Sequence, residues 1–280
     1  TLILTACLVA VALPFAAQTF SCGSDELWRR QLLLDPALGQ RQDALEALRY
    51  EQLTKNDHDG PTADGLTSYT LPVVVHIIHD NGLENIPDAQ VQMGIQQLNA
   101  AFANSGYFDQ GDGLMTPFQF CLAQRTPTGA VTNGINRVQS VYTNMFMEFE
   151  DILVKDLSRW DPKQYINIWV VNEIVSSSQG AGVAGYAYLP SAHGQNIDGI
   201  VMEARYLGTS NAKAGVIVHE MGHYLGLRHT FEGGCTNNNC NNDGDRVCDT
   251  PPDQSTASMP CSAIENSCST DSNSGFTSDQ

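Results

Sequence analysis

The chemistry of this chain is concentrated in one stretch, Val216 to Phe231, which reads Val-Ile-Val-His-Glu-Met-Gly-His-Tyr-Leu-Gly-Leu-Arg-His-Thr-Phe. His219 and His223 stand four residues apart, so on a helix their imidazoles leave one face, one turn above the other, close enough to share a metal ion. Gly226 follows three residues later, where a left-handed residue ends a helix and swings the chain back, and His229 lies three beyond it. Three neutral histidines leave the fourth tetrahedral position of a zinc ion to water, the arrangement of a catalytic site rather than a closed structural one. Glu220, beside the first imidazole, is placed to take that water's proton. Tyr224 falls on the other side of the helix and reads as a packing residue.

The spacing HExxHxxGxxH is the signature of the metzincin zinc endopeptidases, and a pattern of this length rarely arises by chance in a core helix with incidental histidines. The segments Thr230-Phe231-Glu232-Gly233-Gly234-Cys235 and Gly244-Asp245-Arg246-Val247-Cys248-Asp249-Thr250-Pro251-Pro252 resemble the pappalysin-type metzincins, a group of secreted proteases. So do the run Val73 to His79 and the run Ile166 to Val171, and the likeness covers residues 66 to 280. It implies an α/β (α+β) zincin catalytic domain: a twisted mixed sheet with a backing helix and an active-site helix, preceded by a helical propeptide. It also implies zinc-dependent hydrolysis of proteins or peptides. In pappalysin-type zymogens a Cys-Gly near the start of the propeptide supplies a thiolate to the zinc's open position, and Cys22-Gly23 is similar to that element. Cys22 has two other readings, as the lipidated first residue of a cell-surface lipoprotein and as an ordinary disulfide partner.

Composition narrows the setting. The 14 basic and 31 acidic side chains give a formal charge of -17, which repels nucleic acid and anionic membranes and suits solubility outside a cell. A length of 280 residues accommodates one large catalytic domain with a short appendage. Of eight cysteines, Cys235, Cys240, Cys248, Cys261 and Cys268 crowd a stretch rich in Asn, Asp, Ser and Gly, as in a loop region stapled by disulfides in an oxidising compartment. A second, cysteine-ligated zinc is the weaker alternative, because no paired CxxC is present. Asn237 to Asp249 offers hard oxygen ligands around Gly244. It reads either as a calcium loop with Asp243, Asp245 and Asp249 as ligands, without the spacing of an EF-hand, or as a disulfide-braced loop that needs no ion.

The remaining elements must carry this site. Within residues 1–17 the run Leu2 to Ala17 is nearly all apolar, and Ala16-Ala17-Gln18 supplies small residues at its end, as in an export signal whose start is truncated. The run falls short of the roughly 20 apolar residues that cross a bilayer, and no later segment qualifies. Asp25 to Leu53 has helical periodicity and Thr54 to Ser68 reads as an exposed linker, so residues 18–66 form the expected propeptide and 67–280 the catalytic domain. The alternative is a helical extension that is never removed. Tyr69 to His79 is a central strand; His76 and His79 point to opposite faces of it and take structural roles. A helix opens at Pro87 and runs to Asn104, strands are expected at Pro117–Gln124 and Tyr165–Val171, and a helix at Met147–Trp160. Gly180 to Pro190 reads as a loop. Gly199 to Ala204 is a short strand that, by resemblance to metzincins, borders the cleft and pairs with extended substrate.

One family element is missing. Metzincins carry a methionine turn beneath the zinc, and Met259, flanked by Ser258 and Pro260, does not resemble it, so the catalytic domain is expected to be C-terminally incomplete. Together these residues point to a secreted zinc endopeptidase with Glu220 as general base. Its rivals are a non-catalytic extracellular adhesion or binding module on the same fold and a zinc hydrolase of non-peptide substrates. Intact Glu220, His219, His223 and His229 favour the enzyme.

Overall fold

The β-branched run Tyr69–His79 is buried without interruption from Val73 onward, and the rest of the chain is layered on it. The computed structural model describes residues 21–55, 68–109, 111, 113–236, 238–248, 250–254 and 267–269. In chain order the elements are β1 (Ser21–Cys22), α1 (Ser24–Leu34), α2 (Pro36–Lys55), β2 (Tyr69–His79), α3 (Asp88–Phe102), β3 (Phe118–Leu122), β4 (Ile135–Gln139), β5 (Asn144–Phe146), α4 (Met147–Leu157), β6 (Ile166–Val171), β7 (Glu173–Ser176), β8 (Gly180–Ala181), β9 (Val183–Ala187), β10 (Ile200–Glu203) and α5 (Asn211–Tyr224).

The main sheet runs β1-β9-β10-β6-β2-β3, and β4 continues the β3 edge along the second half of β2. β2, β3, β4, β6 and β10 are mutually parallel, β9 is antiparallel to β10, and β1 lies parallel to β9. Parallel strands must be covered on both faces, which is why β2 and β6 read as continuous apolar runs. On one face Val75, Ile77, Ile168, Val170 and Met202 pack under Val91, Ile95 and Leu98 of α3 and Val216, Ile217 and Met221 of α5. On the other, Ile78, Trp169, Val171 and Tyr186 meet Leu27 of α1, Leu38 of α2, and Met147 and Val154 of α4.

The second face also holds a buried charge. Lys155 has no exposed side-chain surface, pairs with Asp151 at 2.9 Å and donates to the Ile197 carbonyl at 2.6 Å. Asp151 in turn accepts from the Tyr186 and Tyr188 hydroxyls at 2.8 and 3.0 Å, tying α4 to β9 and the chain just after it. With every group satisfied, such a network fixes register rather than adding net stability.

Both strand histidines are structural. His76 bonds Asn167 and Ser158, each at 2.9 Å, and stacks on Trp169, whereas His79 Nδ1 accepts from the Asn81 amide.

Several expectations need correction. The helical stretch 25–53 is two helices, because Pro36 has no N–H and forces Asp35 out of helical geometry; the Asp35 carboxylate then caps α2 through the Ala37 amide at 3.1 Å. Gly180–Pro190 is not a loop but contains β8 and β9. The short strand β10 is not the sheet edge, since β6 and β9 occupy both its sides; β9 borders the cleft, and β1 pairs with its outer side. The expected signal at residues 1–17, most of the linker, Met259 and Cys261 lie outside the described residues.

Burial pushes His76 down to about 4, below the 6.5 of an exposed imidazole, so the unfolded chain binds more protons between those values. The stability this residue contributes is complete above pH 6.5 and is lost as pH falls toward 4. Unfolding free energies measured across that window should decline less steeply for His76→Gln than for the unsubstituted protein, and parallel curves would contradict this.

Candidate metal centre

Helix α5 begins with Ser210, whose hydroxyl accepts from the Lys213 amide at 3.3 Å, and ends in a turn closed by two reversed hydrogen bonds. Gly226 N–H bonds the His223 carbonyl at 2.9 Å and Leu227 N–H bonds the Gly222 carbonyl at 2.9 Å, with Gly226 at φ 107°. This is the Schellman arrangement, which requires a left-handed residue where glycine stands. The turn brings the Leu227 carbonyl back to His223 Nδ1 at 2.8 Å and delivers His229 to the face from which His219 and His223 project.

The three Nε2 atoms converge to 3.0, 3.1 and 3.2 Å of one another. His223 donates its Nδ1 proton to Leu227, and His229 donates its own to Asp25 Oδ2 at 2.9 Å. A neutral ring protonated at Nδ1 carries a lone pair on Nε2, so two lone pairs face each other across 3.2 Å. Burial above all, with mutual repulsion, lowers His219 to about 3 and His223 to about 4, so protons do not relieve the conflict near neutral pH. A cation does. Tetrahedral zinc with ordinary Zn–N bonds spaces its nitrogens about 3.3 Å apart, close to what is seen.

A fourth donor sits with them. Cys22 Sγ lies 3.5 Å from His223 Nε2, and the four ligand atoms fall within 4.8 Å of one another. Zn–S and Zn–N bonds of ordinary length put sulfur and nitrogen about 3.5 Å apart. Cys22 is held there by backbone pairing: Ser21 N–H to Gly182 O at 3.4 Å and Gly23 N–H to Gly185 O at 3.0 Å. Burial, then the Glu220 carboxylate, pushes the thiol's pKa well up, so a thiolate forms here only against a positive charge.

Glu220 is buried behind the imidazoles. Its Oε2 lies 3.7 Å from Cys22 Sγ and 3.3 Å from Ser24 Oγ, which in turn accepts from the Ala187 amide at 3.0 Å. Burial raises its pKa to about 8 against the pull of the Cys22 and Ser24 hydrogen bonds, and a divalent cation at the imidazoles would favour the carboxylate. β9 approaches so closely that a Cβ on Gly185 would lie 3.1 Å from Glu220 Cγ and 3.1 Å from the Val201 carbonyl. Tyr224 packs against the core, as its side of the helix implies.

The structure thus gathers His219, His223, His229, Glu220 and Cys22 in one place. Sequence reasoning missed Asp25, Ser24 and Gly185; only the acidic start of α1 and the glycines of the supposed loop hinted at them. The calcium candidates are arranged differently. Asp243 accepts from the Asn238 and Asn239 amides at 2.9 and 3.0 Å, Asp245 accepts from the Val247 amide at 2.9 Å, and Asp249 lies outside the described residues. Disulfides Cys235–Cys268 and Cys240–Cys248 brace this loop.

A mixed α/β sheet under a helix that aims three imidazoles at one point defines a zincin-fold metallopeptidase. The family model Peptidase_M43, described as pregnancy-associated plasma protein-A, matches residues 149–275. Mature mirolysin of Tannerella forsythia, solved in complex with a cleaved peptide, is 30% identical with a TM-score of 0.57, over 69% of this chain and 73% of that one. A promirolysin mutant from the same organism is 29% identical with a TM-score of 0.60, over 82% of this chain and 76% of that one. An extracellular metalloprotease of Arthroderma otae is 26% identical over 217 residues, 74% of this chain and 67% of its own length. The chain belongs to the pappalysin family of zinc metalloproteases, whose substrates are proteins or peptides.

His229→Ala should lower zinc retention after dialysis against a mild chelator far below that of the parent protein, as read by metal analysis, whereas undiminished retention would remove His229 from the ligand set.

Proposed function

We propose that the chain is the latent form of an extracellular zinc endopeptidase, in which Cys22 closes the metal site until the N-terminal segment is removed. The observation that carries this reading is the gathering of Cys22 Sγ and the His219, His223 and His229 nitrogens within 4.8 Å of one another, with the sulfur 3.5 Å from His223 Nε2 and beside the carboxylate of Glu220. Zinc held by His219, His223 and His229 would lower the pKa of water and polarise a scissile carbonyl. Glu220 Oε2 is the base that takes the water's proton and passes it to the leaving amine. His223 is kept in the correct tautomer by the Leu227 carbonyl, the usual service of a group behind a metal ligand, and Asp25 does the same for His229 while the N-terminal segment is in place. Ser24 Oγ orients Glu220 while the segment is in place.

Residues 18–66 are the segment to be removed, and residues 67–280 carry the catalytic site. Supporting this, the matched share of the chain rises from 69% against mature mirolysin to 82% against promirolysin. The sulfur's position among the imidazoles supports a switch rather than a lipid anchor at Cys22. Departure of β1 exposes the outer side of β9, which offers an extended peptide a strand partner next to the metal. Export is supported by the apolar run Leu2 to Ala17, the two disulfides and fungal relatives named extracellular metalloproteases. Among the described residues, no helix is long and apolar enough to cross a membrane.

Glu220→Gln should keep its zinc and lose about 10²–10⁴-fold in hydrolysis of a denatured protein by the processed enzyme; retained turnover would overturn the role. Cys22→Ala should make the unprocessed chain cleave a peptide without prior removal of the segment. Unchanged latency in that variant would count against the switch.

A further inference from the structure

Beside the metal centre two guanidiniums close on one carboxylate. Arg228 Nε and Nη2 donate to Glu46 Oε1 at 3.2 and 3.0 Å, and Arg246 Nη1 donates to the other oxygen of the same group, Oε2. Arg246 Nη1 also reaches Asp43 Oδ1 at 2.9 Å. The Arg228 side chain is only 5% exposed and that of Glu46 13%, so this is a desolvated, charge-assisted contact rather than a surface pair. Burial works against ionisation of Glu46, yet the Gln42 amide and both arginines hold its pKa low.

The cationic half of the contact is built into the catalytic domain. Arg228 lies in the turn after α5 and is steadied by Glu232 at 2.7 Å. Arg246 takes a left-handed φ of 63° in a turn closed onto the Asp243 carbonyl, inside the loop that the Cys240–Cys248 disulfide ties off. Arg228 and Glu232 also line a small cavity with His223 and Leu189, closed on its other side by Ser24, Asp25 and Trp28 of the N-terminal segment, so Arg228 stands on the wall of the metal cleft. The anionic half is different: Glu46 and Asp43 both belong to α2.

We infer that Arg228 and Arg246 form a carboxylate-binding subsite of the protease, filled by Glu46 in the latent form and by an acidic side chain of the peptide substrate once α2 is gone. The inference rests on the proposed removal of the N-terminal segment. With α2 gone, Arg246 loses both of its carboxylates and Arg228 keeps Glu232, which leaves two cations facing one anion in a partly enclosed site. A preorganised guanidinium pair of this kind selects a carboxylate by charge and by fork geometry. On a chain of net charge -17 it is a local exception.

The test is a glutamate scan. A neutral fluorogenic peptide, carrying a single Glu moved through successive positions around the cut and a Gln counterpart at each, is given to enzyme processed between residues 55 and 67. One position should favour Glu over Gln by roughly tenfold in kcat/KM, expressed mainly in KM, and Arg246→Ser should collapse that ratio. A flat scan overturns the inference, as does an equal ratio in the variant. The Glu-to-Gln comparison on the unsubstituted enzyme stands even if the variant fails to fold. Absence of hydrolysis of every peptide by zinc-loaded protein would instead defeat the endopeptidase reading. The subsite is then read by binding: a synthetic peptide of residues 36–55 should bind the processed protein roughly tenfold more tightly than its Glu46→Gln counterpart, and equal affinities overturn it.

Discussion

Three imidazole nitrogens stand within 3.0 to 3.2 Å of each other, and the tautomers fixed by Leu227 and Asp25 leave no proton between the Nε2 atoms of His223 and His229. Such a cluster is tolerable only around a cation, and the rest of the molecule can be understood as the means of holding it. The sheet supports α5 through Val216, Ile217 and Met221, so two of the ligands sit on a rigid element. The Schellman turn at Gly226 does two jobs with one change of direction: it brings in His229 and turns the Leu227 carbonyl onto His223.

β9 is the other surface on which the site depends. It is held from behind by the Lys155–Asp151–Tyr186 network and from above by its approach to Glu220, so close that a Cβ on Gly185 would crowd Glu220 Cγ and the Val201 carbonyl at 3.1 Å. On its outer side it accepts β1. On the reading proposed above, the N-terminal segment uses the features that a substrate would need: a strand partner, a sulfur beside the imidazoles and, through Glu46, an acidic side chain on the arginine pair. Latency on this account comes from occupation of the cleft rather than from distortion of it.

Much of the site was legible because helical periodicity and a single glycine dictate where three histidines go. Their types specify neutral, nitrogen-donating ligation, and Glu220 follows from its place next to the first ligand. The β-branched run of β2 announced a central strand, and it does lie between β6 on one side and β3 and β4 on the other. What failed did so where tertiary proximity decides. Gly182 and Gly185 read as loop signals, but Gly185 serves the close approach of a strand to Glu220. The choice of β9 over β10 at the cleft is a matter of strand order, which local patterning does not encode. Asp25 meets His229 across 204 residues of sequence, and Glu46 meets Arg228 across 182; no spacing rule reaches that far.

The most direct measurement is zinc X-ray absorption on the intact, unprocessed chain loaded with one equivalent of metal. The account predicts a first shell of three nitrogen scatterers at about 2.0–2.1 Å and one sulfur at about 2.3 Å. A shell of nitrogen and oxygen alone, with no sulfur, would contradict the closed site on which this account is built.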